Sequence, residues 1–403
     1  MHKTKIVILG ACPGGMMTAV RLQKSLNLKE AEIILINKED YHYQTTCLHE
    51  NAAGTLHHDR TRIPIRNIID LDKVHLIIDK VVTIKPEQKQ VKLEKQTIEY
   101  DILVIGLGFE TESIGFPEIT ENAFSIKDIN SARLIKDHIE YNFANYHNEE
   151  NNEARLNFVI AGGGSTGIEF AGELADRVPE LCREYDIEKL FVRVILLESS
   201  NTVLSEFEPE LAEYAAKSLE ARGVEIVTGA EVKECQPEYV IYEKNGEEVK
   251  LPTMTTIWAG GIRPNPILET SGFRTTDGKM EVTDHMRSKE YKEIFVVGES
   301  ALLKNESGQA YSPSVDTAMK QAAVIAHNIK AGFNNTRLKQ FRTKTKGKVV
   351  SLGNEDGIAV MINGSTFYGW KAAFMKQLRD NKYFFHLGGI SLLMQKGKFH
   401  LFY

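Results

Sequence analysis

At 403 residues, with 42% hydrophobic and 26% charged side chains, the chain is long enough for two or three domains. Its balance is that of a folded enzyme and excludes a disordered or fibrous chain. The formal charge of −6 hides an asymmetry: from Ala331 onward twelve Lys or Arg face three acids, a surplus of +9, which leaves −15 for the rest. A basic end on an acidic body suits an anionic lipid surface, and nothing beyond that tail speaks for nucleic acid.

No run approaches the roughly 20 apolar residues of a spanning helix. Met1-His2-Lys3-Thr4 leads straight into Ile6-Val7-Ile8-Leu9 without a secretory h-region. Four scattered cysteines (Cys12, Cys47, Cys182, Cys235) form no CxxC pair. They point to a reducing compartment and away from a structural zinc or a dithiol centre. The expected location is the cytoplasm or the cytoplasmic face of a membrane.

In chain order, residues 5–9 read as a buried strand, Gly10 to Gly15 as a glycine turn, 16–26 as a helix and 32–37 as a second strand. A further strand at 100–108 runs into a glycine turn at Gly108. The first pattern then returns: strand 156–161, turn Gly162 to Gly167, a helix from Ile168 and a strand at 192–198. A late buried strand at 294–299 suggests that a first domain is interrupted and then completed. The reading is α/β, with two Rossmann-like dinucleotide-binding domains at 1–112 plus 270–330 and at 113–269, and a C-terminal module at 331–403. The polar run 148–153 reads as a solvated loop.

A dinucleotide turn needs its glycines for a tight bend, for close approach of the pyrophosphate and for helix–strand packing, and the helix N-terminus attracts the phosphates. Gly162, Gly164 and Gly167 meet the rule in full. Glu198 ends the next strand, where it accepts from ribose hydroxyls and repels a 2′-phosphate, which favours NADH over NADPH. The long interval from Gly162 to Glu198 requires an extended helix and loop. The first turn keeps Gly10 and Gly15, with Gly14 beside them, but has Cys12 at the second glycine position. Its strand ends in Asn37-Lys38 in place of an acid; Asn37 is expected at a ribose and Lys38 near phosphate.

Together these residues resemble the type II NADH:quinone oxidoreductases, non-pumping respiratory flavoenzymes, over nearly the whole chain. The resemblance is carried by Tyr41-His42-Tyr43, Leu48-His49-Glu50, Ala53-Gly54-Thr55, Gly163-Gly164-Ser165-Thr166-Gly167-Ile168-Glu169, Trp258-Ala259-Gly260-Gly261-Ile262-Arg263, Ala372-Ala373-Phe374-Met375-Lys376 and Gly388-Gly389-Ile390, ending near Lys396-Gly397-Lys398-Phe399. It implies a glutathione-reductase-like arrangement with FAD on the first domain, NADH on the second and a quinone (menaquinone or ubiquinone) as acceptor. It adds Thr46, Gly298 and Glu299 to the flavin side, Thr166, Gly260 and Gly261 to the NADH side, and Glu169 beside the nicotinamide as the catalytic acid. Asp316 and Lys320 stand at the quinone side, where the family has a pair of glutamines. Cys12, Cys47, Glu299 and the Asp316/Lys320 pair depart from the family, all on the flavin and quinone side. A paralogue that binds NADH without turnover, and a flavoprotein serving a soluble acceptor, therefore stay open.

Phe367, Trp370, Phe374 and Leu378 fall in one narrow arc at 100° per residue, with Lys376 and Arg379 away from it. Later apolar groups at 383–385, 392–394 and 399–403 add to it. This predicts an amphipathic helix that docks peripherally on a membrane. Packing on the body, or in a homodimer, suits the same pattern.

Overall fold

A computed structural model describes residues 3–27, 29–111, 121–148, 152–305, 308–343 and 347–399. The expected boundary at 112/113, the middle of the polar run at 149–151 and the apolar terminus at 400–403 lie outside the described residues.

Five parallel strands make the first sheet, in the order Ile294–Val296, Ile102–Ile105, Thr4–Leu9, Ala31–Asn37 and Val74–Ile78. Their Ile, Val and Leu runs suit a parallel sheet covered on both faces, and Ile6, Val7, Ile8 and Leu9 are wholly inaccessible. A second parallel sheet has the order Phe124–Ser125, Thr255–Trp258, Asn157–Ala161, Arg193–Glu198 and Val224–Thr228. The two units follow one plan. In each, the opening strand is central and the next two strands stack on one side of it. A three-stranded antiparallel meander follows, at Val81–Lys85, Gln90–Leu93 and Thr97–Glu99 in the first unit. Its counterpart is Ala230–Gln236, Tyr239–Lys244 and Glu247–Pro252. The chain then returns to the other side of the opening strand. Ile294–Val296 joins the first sheet only after the second is complete.

The first turn's helix runs Pro13–Ser25, three residues earlier than expected, because Pro13 presets the first helical φ and Cys12 serves as its extended N-cap. The second turn's helix, Ser165–Glu184, with a 3₁₀ turn at Lys189–Phe191, fills the long interval before Glu198.

The C-terminal module departs from the expected amphipathic segment. Three antiparallel strands, Lys348–Ser351, Gly357–Val360 and Thr366–Tyr368, come first, so Phe367 lies on a strand. The helix begins at Trp370 and reaches Lys396, kinked at Gly388 and Gly389, the latter at φ +70°. Ala372, Ala373, Lys376, Asp380, Tyr383, Phe384 and Leu387 form its buried face. Each large apolar side chain among them stabilises the docked helix by about 1.5–3 kcal/mol relative to exposure. Trp370, Leu378 and Phe385 are exposed on the opposite face, and Ile390 and Met394 are exposed beyond the kink. Gly172 is what lets this module sit on the second domain, since a Cβ there would strike the Leu352–Gly353 backbone.

Candidate functional site

The two glycine turns are built alike. Gly10 (φ +89°) and Gly162 (φ +120°) each bend the chain, and each donates its N–H at 2.8 Å to the neighbouring strand, at Ile36 O and Leu197 O. A Cβ on Gly15 would strike Gly10 O, and one on Gly167 would strike Gly162 O. Helix and strand approach too closely for any side chain at these positions. Gly14 packs on Val297 in the same way.

A cavity of about 1100 Å³ opens at the first turn, lined by Gly10, Cys12, Gly14, Gly108, Val297 and Glu299 among others. Cys12 does not close it. Its thiol leans towards Gly108 (φ +77°), and a Cβ at Gly108 would collide with the sulfur. The missing side chain at 108 makes room for the added one at 12. Burial pushes the Cys12 thiol up to about 12, with the Glu299 charge adding to the effect, so it stays an inert thiol.

Asn37 and Lys38 line the same cavity. Asn37 Oδ1 accepts the Ala11 N–H at 2.9 Å and its Nδ2 donates to Glu39 O at 2.8 Å, so part of its hydrogen-bonding capacity braces the turn itself. Glu299 lies in a short 3₁₀ turn behind Gly298 (φ +77°), and burial pushes its carboxyl up to about 7. The Gly298 N–H donates at 2.8 Å to Gln321 Oε1, a residue that sequence reasoning missed although it follows Lys320 directly.

Thr46 is corrected. Its hydroxyl donates to Asp380 Oδ1 at 2.9 Å and Thr45, its neighbour, lines the cavity. Asp316 and Lys320 lie on the helix Val315–Asn334, but the cavity is lined there by Ser314, Val315 and Ala318. The Lys320 ammonium donates to Thr343 Oγ1.

At the second turn Gly162, Gly164, Thr166 and Gly167 surround the start of the helix Ser165–Glu184, whose free N–H groups are a ready anion site. Glu198 folds over the turn: one oxygen accepts the Gly163 N–H at 2.6 Å and the other the Ser200 N–H at 2.7 Å. The Trp258–Gly261 string closes the other side, with Ala259 and the Gly260 N packed against Gly162.

Glu169, one helical turn further on, leads to a buried cluster that joins all three modules. Lys376 Nζ lies 2.9 Å from Glu169 Oε1 and donates to His49 Nε2 at 2.8 Å and Ser351 Oγ at 2.6 Å. Ser351 donates to Glu169 Oε1 through both its N–H (3.2 Å) and its hydroxyl (3.3 Å). Since His49 Nε2 accepts from an ammonium, its proton belongs on Nδ1, 3.4 Å from Glu169 Oε2. Burial first, and then Lys376, hold His49 well below the usual imidazole range, so it is neutral. Burial lowers the Lys376 ammonium, but the carboxylates of Glu169, Glu50 and Asp380 outweigh it and raise the group. Beneath them Glu173 accepts from Thr55 Oγ1; burial and then the Glu50 charge push its carboxyl up to about 7.

Lys376 is the main correction to the sequence reading, which took it for a basic flank of an interfacial helix. A signal was there. Ala372, Lys376 and Asp380 repeat every four residues on the side opposite the Trp370–Leu378 arc, and a polar pair on a protein-facing stripe needs partners inside.

The model of the pyridine nucleotide-disulphide oxidoreductase family matches residues 4–322. The type II NADH:quinone oxidoreductase of Staphylococcus aureus is 36% identical over 399 residues, spanning 98% of this chain and 99% of that protein. The chain is a type II NADH:quinone oxidoreductase by family. Among solved structures, NDH2 from Plasmodium falciparum in complex with NADH superposes with a TM-score of 0.86 over 98% of both chains, at 17% identity. The sulfide:quinone oxidoreductase of Aquifex aeolicus follows at 0.78, 21% identical over 96% of this chain and 92% of that one. These two likenesses concern the fold. Unlike the disulphide-using namesakes of the wider family, this type II oxidoreductase has no paired cysteine: Cys12, Cys47, Cys182 and Cys235 are all free thiols.

Proposed function

We propose that the two glycine turns serve one reaction, in which NADH at the second turn reduces FAD at the first and the reduced flavin passes two electrons to a membrane quinone, without proton pumping. The observation that carries this reading is the open cavity at the first turn. The substitution that most threatened it, Cys12, is accommodated by Gly108.

The flavin supplies hydride acceptance and two-electron delivery; the chain supplies binding, orientation and electrostatics. Gly10, Gly14, Gly15 and the N-terminus of Pro13–Ser25 form the pyrophosphate cradle, with Asn37 and Lys38 towards the ribose end and Gly108, Gly298 and Glu299 further along the cavity. Because Glu299 is raised to about 7, a good fraction of it is protonated near neutrality and donates to a sugar-chain oxygen without a full buried charge. Gly162, Gly164, Thr166 and Gly167 hold the other dinucleotide, and Glu198 takes the adenosine ribose hydroxyls. Glu169, held by Lys376 and Ser351, orients the nicotinamide.

The exposed Trp370, Leu378 and Phe385, with Lys371 and Lys382 beside them, support peripheral docking on the cytoplasmic side of the cell membrane, where menaquinone or ubiquinone resides. Among the described residues no helix is long and apolar enough to cross a membrane. The test is steady-state NADH oxidation with menadione and, separately, with ferricyanide. Turnover with both supports the reading. Ferricyanide alone assigns a soluble acceptor, and neither leaves a nucleotide-binding protein.

A further inference from the structure

The last described residues return to the cluster just described. A straight helix would carry residue 398 about 26 Å beyond residue 381. The Gly388–Gly389 kink folds the chain back instead. Asn381 grips the Lys398 backbone on both sides, donating to its carbonyl at 2.6 Å and accepting its N–H at 2.7 Å. Arg60 adds a bond to Gly397 O at 3.2 Å.

The Lys398 side chain enters the protein. Its ammonium binds both oxygens of Glu50, one of them at 2.7 Å, and lies 3.6 Å from Asp380 Oδ2. Glu50 and Lys398 are 13% and 17% exposed and Asp380 only 2%, so Lys398 is the cation in contact with both carboxylates, and Lys376 adds its charge from further off. Asp380 also gathers Thr46 and Cys47, whose Sγ lies 3.6 Å from its Oδ2. Glu50 follows His49 in the chain, and its carboxylate reaches 3.8 Å from His49 Nε2, the atom that accepts from Lys376.

We propose that Lys398 is a positioning residue for quinone reduction: by fixing Glu50 and Asp380 it sets where His49 meets Lys376. The claim rests on the oxidoreductase reading above, and it assigns the far end of the C-terminal helix to the site. Released from Lys398, Glu50 becomes a second acid competing for Lys376, and Asp380, one turn along the same helix, loses the ammonium that lies 3.6 Å from its Oδ2. The acceptor step suffers; Glu169 keeps both of its bonds from Ser351 and the second turn is untouched, so flavin reduction by NADH does not.

The experiment uses the full chain with FAD bound, comparing wild type, Lys398→Met and Lys398→Arg with menadione and with ferricyanide from pH 6 to 9. Lys398→Met is expected to lower menadione turnover about tenfold, equivalent to the loss of one good charge-assisted contact. Its ferricyanide rate and flavin content stay within about twofold. Lys398→Arg recovers most of the loss, and the menadione pH profile shifts in Lys398→Met alone. Asn381→Ala, which frees the Lys398 backbone from its two bonds, gives the same acceptor-selective loss in smaller measure if Lys398→Met proves too unstable to purify. The proposal is overturned if Lys398→Met keeps wild-type menadione turnover, or if menadione and ferricyanide rates fall together with flavin content. A wild type that oxidises NADH with neither acceptor overturns the oxidoreductase reading itself, a result distinct from either of these.

Discussion

The Glu169 carboxylate and the Lys376 ammonium meet at 2.9 Å, one on the helix that follows the second glycine turn and the other on the C-terminal helix. The pair is buried, with side-chain exposures of 16% and 6%, and it ties the nucleotide-binding core to the module that presents the exposed apolar face. Breaking one half leaves an uncompensated buried charge, which costs about 3–5 kcal/mol in comparable sites. Lys376→Met is therefore expected to lower the melting temperature and to abolish most quinone turnover. Combining it with Glu169→Gln recovers stability but not activity, and a double-mutant cycle by thermal denaturation measures the coupling.

The Cys12–Gly108 contact makes flavin retention predictable from two small residues. Gly108→Ala places a Cβ against the sulfur at a φ of +77°, so the variant loses FAD on gel filtration. Cys12→Gly in an otherwise wild-type chain restores bare backbone at the second glycine position of the turn and tightens flavin binding. In the double variant only the backbone strain remains, about 1 kcal/mol, and flavin content returns most of the way. The ratio of bound flavin to protein for the four chains decides it.

Glu198 bonds the Gly163 and Ser200 N–H groups from the end of its strand. Replacing it by Gln keeps the shape and removes the charge that repels a 2′-phosphate. Preference for NADH over NADPH should shrink about tenfold or more, mainly through KM for NADPH. Unchanged discrimination would take Glu198 out of the nucleotide site.

Glu173 gives the stability of the protein a pH dependence of known sign. Its carboxyl is raised from 4.5 to about 7 in the fold, so between those values the folded chain holds a proton that the unfolded chain has released. Its contribution is most favourable in acid and is lost as pH rises through about 7. Glu173→Gln, neutral at every pH, should raise the melting temperature at pH 8 and change it little at pH 5. Equal shifts at both values would contradict a buried acid with that titration.

The exposed face of the C-terminal helix predicts a partition. Trp370→Ser with Phe385→Ser should leave ferricyanide turnover intact and abolish sedimentation with anionic vesicles. A protein that ignores vesicles, and whose dimer dissociates on the same change, would assign the face to self-association.

The parts of the site that depend on local backbone chemistry were legible in the chain. Gly10, Gly15, Gly162 and Gly167 are dictated by turns and close packing within a few residues, and the strands feeding them are continuous apolar runs. The repeat of strand, glycine turn, helix and strand could be seen from these runs, but the strand order of the two sheets and their meanders could not. What escaped is what only tertiary contact decides. Cys12 looked like an obstacle because its harmlessness depends on Gly108, in the turn that follows another strand, Ile102–Ile105. The bond from the Thr46 hydroxyl to Asp380, from the far end of the chain, had no signal in the sequence. Lys376 and Lys398 looked like surface cations, since lysine is almost never buried without a partner and the partners Glu169 and Glu50 are distant in sequence. The strands at 348–368 are short and broken by Gly and Asn, which hides their pattern.

The central claim is that one chain brings NADH to a bound flavin and the flavin to a quinone. The most direct test is the visible spectrum of the anaerobic purified protein, recorded before NADH, after one equivalent of it, and again after menadione. The account predicts an oxidised-flavin band that NADH bleaches and menadione restores. A protein with no such band, or with a band that NADH leaves untouched, would contradict it.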